Sequence, residues 1–192
     1  MSILVLSLNV GKSKNIQLNG NRSMVSAICK SPIEGPVYLS INGFEGDESA
    51  DQRLHGGGDK AVCVYSSKHY SVWEKFFLKP LKFGSFGENL TIKGFDEDSV
   101  CLGDVYRIGE AKLQVSQPRI PCQKINRIFG RKDVVREIKA SGKSGFYFRV
   151  LMPGNISSGD CVTLLNRPDD SISITDSNQL LKKEGVFPGL LK

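Results

Sequence analysis

Cys122 stands in the stretch Ser116-Gln117-Pro118-Arg119-Ile120-Pro121-Cys122-Gln123-Lys124, behind two prolines and between an arginine and a lysine. Each proline fixes its own φ and pushes the residue before it, Gln117 or Ile120, toward extended backbone, so the chain is held stiff up to Pro121. Ile125, Ile128 and Phe129 then fall at i, i+3 and i+4, and Pro121 suits the first position of a helix. That spacing predicts a helix with Cys122 in its first turn. A thiol there feels the positive helix end, Arg119 and Lys124 add to it, and the thiolate that does nucleophilic or metal-ligating chemistry is favoured. The competing reading is a small buried cysteine that fills a gap, the commonest fate of a free cysteine. A cysteine nucleophile would also need a base. Of the two histidines, His69 falls on the wetter side of a predicted amphipathic helix, which leaves His55 as the better candidate.

A second chemistry-bearing stretch, Asp51-Gln52-Arg53-Leu54-His55-Gly56-Gly57-Gly58-Asp59-Lys60, joins three glycines to Arg53, His55 and Lys60. Consecutive glycines let backbone N–H groups approach a ligand closely, and flanking cations suit a phosphate. It is neither a Walker loop nor a dinucleotide fingerprint, because the required glycine and lysine spacing is absent. Without further support the same residues make a plain flexible turn.

The elements that must position these residues are mostly short strands. Ile3 to Val10, Met24 to Cys29, Val37 to Ile41 and Ala61 to Tyr65 are separated by Gly, Pro, Asn and Ser clusters, a pattern of barrels and sandwiches. SSKHYSVWEKFF reads as a helix with Tyr70, Trp73 and Phe77 as a core-facing stripe. Ala111, Leu113 and Val115 alternate with Lys112, Gln114 and Ser116, the period of a half-buried strand, and Gly109-Glu110 is the turn of a hairpin leading into the Cys122 segment. Asp133 to Ala140 reads as a short helix ended by Gly142. GFYFRVLMPGN and ISSGDCVTLL read as two further strands joined by a Pro-Gly-Asn turn. The division expected is a mainly β domain over residues 1–167 and a C-terminal tail over 168–192 that docks or frays.

Totals narrow the function classes. With 192 residues, 40% hydrophobic and 24% charged, the chain fits one ordinary globular domain. No secretion signal or membrane-spanning run is seen, so a cytoplasmic protein with no membrane partner is expected. The five cysteines are odd in number, widely spaced and without a CxxC pair, which argues against a disulfide scaffold and a structural zinc site. The net charge of +6 is spread out, with no basic stripe or aromatic-rich signature, so a small anion is a better partner than a nucleic acid.

In order along the chain, GDESADQRLHGGGDKAV, the Y-x-x-W helix, FGENLTI, CLGDVYRIGEAKLQVSQPRIPC, GFYFRVLMPG and SSGD resemble the MOSC domain family, in particular its stand-alone, bacterial YiiM-like branch. The resemblance implies a MOSC-type β-barrel with a few peripheral short helices that binds the pterin-based molybdenum cofactor (molybdopterin). It places the family's motif cysteine at Cys122, as a molybdenum ligand in relatives that reduce amidoximes or as a persulfide carrier in sulfurases. It further implies cofactor contacts from Arg53, His55, Gly56, Gly57, Asp59, Lys60, Asn89, Arg119 and Arg149. The activity implied first is an oxidoreductase acting on small N-hydroxylated compounds such as hydroxylaminopurines and amidoximes. A separate electron-donor reductase is then expected, since no flavin or iron–sulfur motif is present. The alternative is a sulfur-carrier or cofactor-handling protein. Sulfurases add a pyridoxal-phosphate domain, and pyridoxal phosphate binding is not expected of this chain.

Overall fold

The computed structural model describes residues 2–17, 23–48 and 57–184. Its strands are β1 (Leu4–Val10), β2 (Lys14–Gln17), β3 (Ser23–Ser26), β4 (Ser31–Pro32), β5 (Val37–Ser40), β6 (Gly43–Phe44) and β7 (Val62–Ser66). Helix α1 (Lys68–Phe77) follows, then β8 (Leu90–Lys93), β9 (Val105–Ile108) and β10 (Ala111–Pro118). Helices α2 (Lys124–Ile128) and α3 (Val134–Ser141) lead to β11 (Phe146–Met152), β12 (Gly154–Ile156), β13 (Val162–Asn166) and α4 (Ile174–Glu184).

The fold is mainly β. Eight strands form one curled sheet in the order β13-β9-β10-β11-β7-β8-β1-β4, and a bridge between Leu4 and Cys161 ties β1 back toward the β13 end. Its pairings are antiparallel except β7 with β8, whose parallel register requires a crossover, and α1 lies within that connection. The interior is apolar and aromatic: Leu8, Val62, Val64, Ile108, Leu113, Phe146 and Phe148 belong to one buried cluster. β10 shows the alternation read from its sequence, with Ala111, Leu113 and Val115 buried and Lys112 exposed. The Gly109-Glu110 hairpin is tight enough that a Cβ on Gly109, where φ is +56°, would press on the Asn155 carbonyl.

A second cluster covers the outside of the sheet. Tyr70 and Trp73 of α1 pack with Tyr65, Phe86, Ile125 of α2, and Val134, Val135 and Ile138 of α3. Rings stack across it, Tyr65 on Phe86 at 4.8 Å and Phe77 on Phe129 at 4.3 Å. His69 does not face water as its helical position suggested. It is buried, with Nε2 2.7 Å from Glu97 Oε2, because the Phe95–Glu97 segment and Tyr65 cover that side of α1. Nor do Pro153-Gly154-Asn155 make a simple turn. Pro153 ends β11, and Gly154–Ile156 pairs with β5 in a separate three-stranded sheet. Residues 168–184 pack on the barrel: Ile174 and Ser177 are buried, and the Ile174 N–H donates to the Val100 carbonyl. No helix among the described residues is long and apolar enough to cross a membrane.

Candidate functional site

Successive strand residues face opposite sides of a sheet, and this rule builds the site. On β7, Val62 and Val64 enter the barrel interior, so Cys63 faces outward; on β11, Phe146 and Phe148 do the same and Tyr147 faces outward. Tyr147 is registered directly against Cys63, and against Gln117 of β10 on its other side. Arg119 and Cys122 follow immediately as the chain leaves β10. Cys63, Tyr147, Arg119 and Cys122 together wall a cavity of about 690 Å³ on the outer face of the barrel. Its opposite walls come from far away in sequence: Ala27 and Lys30 after β3, Asp47 after β6, and Asn89 before β8.

Cys122 is half-buried and lines this cavity. The expected helix starts later than the sequence implied. Gln123 is its N-terminal boundary residue and α2 begins at Lys124, while the Cys122 carbonyl accepts from the Ile125 N–H at 3.0 Å in a three-residue turn. Pro121 and Cys122 belong to no regular element, so Cys122 lies ahead of the helix rather than within its first turn. The case for this thiol therefore rests on its place in the cavity wall.

Arg119 is the most tightly held group there. Its side chain is buried, its guanidinium donates to the Phe86 carbonyl and to the Tyr147 hydroxyl, and its backbone N–H donates to the Gly145 carbonyl at 3.0 Å. Burial works against its charge, yet Cys63, Tyr147 and Glu88 around it raise its pKa above the ordinary guanidinium value. The thiol and the phenol beside it are themselves shifted upward. Burial pushes the Cys63 thiol up despite the pull of Arg119, and burial followed by Cys63 raises the Tyr147 phenol. Gly145 is fixed in turn, since its N–H donates to Glu97 Oε1 at 2.8 Å, the same carboxylate that holds His69.

The FGEN turn is a structural clamp. Buried Glu88 accepts from the Gly84 N–H at 2.9 Å, the Thr91 hydroxyl at 2.9 Å, the Phe86 N–H and the Tyr70 hydroxyl. Gly87, at φ +82°, lies so close to Ile28 that a Cβ would overlap it. Asn89 then bridges three segments: Oδ1 accepts from the Cys63 N–H at 3.0 Å, and Nδ2 donates to Asp47 Oδ2 at 2.8 Å and to the Asn9 carbonyl at 3.3 Å. Asp47 is already paired with Lys30 through both oxygens and accepts the Gly11 N–H.

Among the residues expected from the sequence, Gly57, Lys60, Asn89, Arg119 and Cys122 line the cavity together. Asp59 and Arg149 are not among its lining residues; they pair with each other at 2.9 Å beside it. Arg53, His55 and Gly56 lie outside the described residues. Lys30, Asp47, Cys63 and Tyr147 were not foreseen. Lys30 and Asp47 carry no local signature, and Cys63 and Tyr147 sit in runs that are buried on both faces, so no periodic contrast marks them.

The cavity lining favours an anionic ligand. Lys30, Lys60, Lys124 and Arg119 outnumber the two carboxylates in its lining, Asp47 and Glu48, and the latter accepts the Ser13 N–H. The half-buried thiol on the same wall is the donor type that soft metals take.

Comparison with known proteins finds matches over most of the chain. Residues 51–163 match the MOSC domain. The chain is 47% identical over 176 residues to YflK of Bacillus subtilis (strain 168), covering 92% of this chain and 79% of that protein. It is 35% identical over 192 residues to a Gibberella moniliformis protein named a reductase, but spans only 34% of that protein's length. The crystal structure of YiiM from Geobacillus stearothermophilus superposes with a TM-score of 0.79 at 40% identity, over 95% of this chain and 85% of the other.

Proposed function

Because this chain belongs to the MOSC domain family, we propose that its cavity binds the molybdenum cofactor and reduces small N-hydroxylated compounds such as hydroxylaminopurines and amidoximes. The observation that carries the reading is the convergence of Cys122, Arg119, Lys30, Lys60 and Lys124 on one cavity of about 690 Å³. The name of the fungal relative, a reductase, points the same way. When bound, the cofactor supplies a redox-active metal.

The chain's own residues supply the rest. Cys122 offers a sulfur ligand, held in place by the stiff Pro118–Pro121 segment and by the anchored Arg119. Lys60 and Lys124 favour an anionic ligand, and the backbone at Gly57 permits close approach. Arg119 keeps a fixed positive charge beside the neutral Cys63 and Tyr147, so the wall next to Cys122 attracts electron-rich groups without itself titrating at neutral pH. In the overall reaction the N–O bond breaks, two electrons and two protons are consumed, and water leaves with the amine formed from a hydroxylamino compound or the amidine formed from an amidoxime. The electrons come from a separate reductase, and a cytoplasmic setting, where thiols stay reduced, belongs to the same proposal.

The test is elemental analysis for molybdenum, with turnover of an amidoxime by reduced viologen, on protein made in a host that synthesises the cofactor. Wild-type protein is expected to hold molybdenum and turn over. Cys122→Ala is expected to lose both while keeping the fold of the wild type by circular dichroism. Full metal content and turnover in that variant would refute the role of Cys122. One sulfur atom added to Cys122 by a cysteine desulfurase, with no reductase activity in the metal-loaded protein, would replace this reading with a sulfur carrier.

A further inference from the structure

His69 and Glu97 are each only 5% exposed, and neither lines the cavity. Nε2 of His69 lies 2.7 Å from Glu97 Oε2, and Oε1 of the same carboxylate accepts from the Gly145 N–H at 2.8 Å. The Gly145 carbonyl then accepts from the Arg119 N–H at 3.0 Å. One line of hydrogen bonds therefore runs from α1 to the backbone that leads into Cys122. Glu97 is itself held from behind, since its backbone carbonyl accepts from the Thr175 N–H of α4 at 2.9 Å.

A second line runs beside the first. Trp73 stands one helical turn after His69, on the same face of α1. Its Nε1 donates to the Tyr65 hydroxyl at 2.7 Å, and that hydroxyl donates to the Lys143 carbonyl at 3.0 Å. The Tyr65 ring also meets the His69 imidazole edge-on at 5.3 Å. Helix α1 thus grips the 143–145 segment at both ends. Gly145 can be gripped only through its backbone, because the Val64 carbonyl occupies the place a Cβ would take.

A buried imidazole and carboxylate are a poor source of stability. Desolvation offsets much of their attraction, and hydrocarbon of similar volume often serves as well or better. The same layer is filled elsewhere by Phe76, Phe77, Phe86 and Phe129. What hydrocarbon cannot supply is an acceptor aimed at one N–H. A carboxylate with one oxygen fixed by His69 has its other oxygen directed at Gly145. We propose that Glu97, oriented by His69, is a positioning residue for the site: it fixes Gly145, through it Arg119, and so sets where Cys122 stands in the cavity wall. This rests on Cys122 being the reactive group of the reductase reading, and it gives a function to two residues that lie outside the cavity.

The experiment compares the full-length wild type with Glu97→Gln, with His69→Leu and Glu97→Met combined, and with Asp104→Asn. Cofactor-free protein gives three readouts: the urea midpoint, the rate at which iodoacetamide alkylates Cys122, read by peptide mass spectrometry, and the hydrogen exchange of the Gly145 and Arg119 amides. Glutamine keeps an oxygen for the Gly145 N–H, so Glu97→Gln is expected to alkylate at the wild-type rate. The combined apolar variant is expected to keep or raise the urea midpoint. Its Cys122 should nevertheless alkylate about threefold faster or more, with exchange protection lost at Arg119. Asp104 is an equally buried carboxylate, but it accepts from the Cys101 N–H, the Tyr106 hydroxyl and Arg167 rather than from Gly145. Asp104→Asn should lower the midpoint and leave the Cys122 rate alone. On molybdenum-loaded protein the combined variant should lower kcat about tenfold with KM near that of the wild type.

A folded combined variant whose Cys122 reacts as in the wild type overturns the proposal. So does a Glu97→Gln protein that reacts as fast as the apolar variant, or an Asp104→Asn protein that shows the same acceleration, since general loosening would then explain it. Should the combined variant fail to fold, exchange in the wild type decides: protection of Gly145 and Arg119 equal to that of β11 supports the anchor, and exchange as fast as in exposed loops overturns it. If Cys122 reactivity follows expectation but loaded wild-type protein shows no turnover, the positioning role stands and the reductase reading falls.

Discussion

Gly145→Ala is the substitution that tests how the Cys122 segment is anchored. Gly145 has φ +77°, and a Cβ built there would stand closer than 3.0 Å to the Val64 carbonyl oxygen and 3.0 Å from Tyr65 Cδ2. Alanine in this backbone region costs about 1 kcal/mol by itself. To restore ordinary contact the backbone must withdraw from β7 by several tenths of an ångström, which stretches the 2.8 Å bond to Glu97 and the 3.0 Å bond from the Arg119 N–H. Losing one charge-assisted and one neutral hydrogen bond adds about 2–4 kcal/mol, for a total of about 3–5 kcal/mol. Gly142→Ala is the internal control, because Gly142 has nearly the same φ, +72°, and nothing within 4 Å of an added Cβ. It should cost only the conformational share, about 1 kcal/mol. Urea unfolding measures both, read as shifts in midpoint at constant slope. Equal losses for the two variants would refute the argument, since they would show that Gly145 is needed for its φ alone and anchors nothing.

Asn89→Ala leaves the Cys63 N–H and one side of Asp47 without their partner, and should cost about 2 kcal/mol in the same assay. Alkylation of the native protein at mildly alkaline pH, followed by peptide mass spectrometry, should label exposed Cys161 early and Cys63 last, because burial raises the Cys63 thiol pKa; early labelling of Cys63 would contradict that burial. Asp133 is held at about 2 by its hydrogen bonds from Arg131, below its ordinary 3.8. Its favourable contribution is therefore present above the ordinary value and lost as pH falls through about 2, and Arg131→Gln should return the carboxyl midpoint, read by NMR, toward the ordinary value.

The parts of this fold that were legible in the sequence are those where one residue type serves one face. Ala111, Leu113 and Val115 announce β10 because polar residues separate them, and Gly142 marks the end of α3 because its left-handed φ suits glycine. VCVYS and FYF gave no such contrast. Both of their faces are buried, one by the barrel interior and the other by the helices and the cavity, so neither run says which side carries the site. His69 was misplaced for a related reason, since a helix stripe predicts one buried side and cannot foresee a carboxylate, Glu97, arriving from a loop on the other. Lys30 and Asp47 become partners only when β1, β8 and the 40–48 segment converge, and they have no meaning as separate residues. The SQPRIPC motif behaves in the same way. Its prolines and arginine show locally that Cys122 is held stiffly, whereas what it is held against, the outer face bearing Cys63 and Tyr147, is decided by the register of β11 between β10 and β7. A one-residue slip of that register would turn Tyr147 into the barrel and Phe146 or Phe148 into the cavity, replacing a polar wall with hydrocarbon. The chemistry of the cysteine is thus a property of strand pairing as much as of its own neighbours.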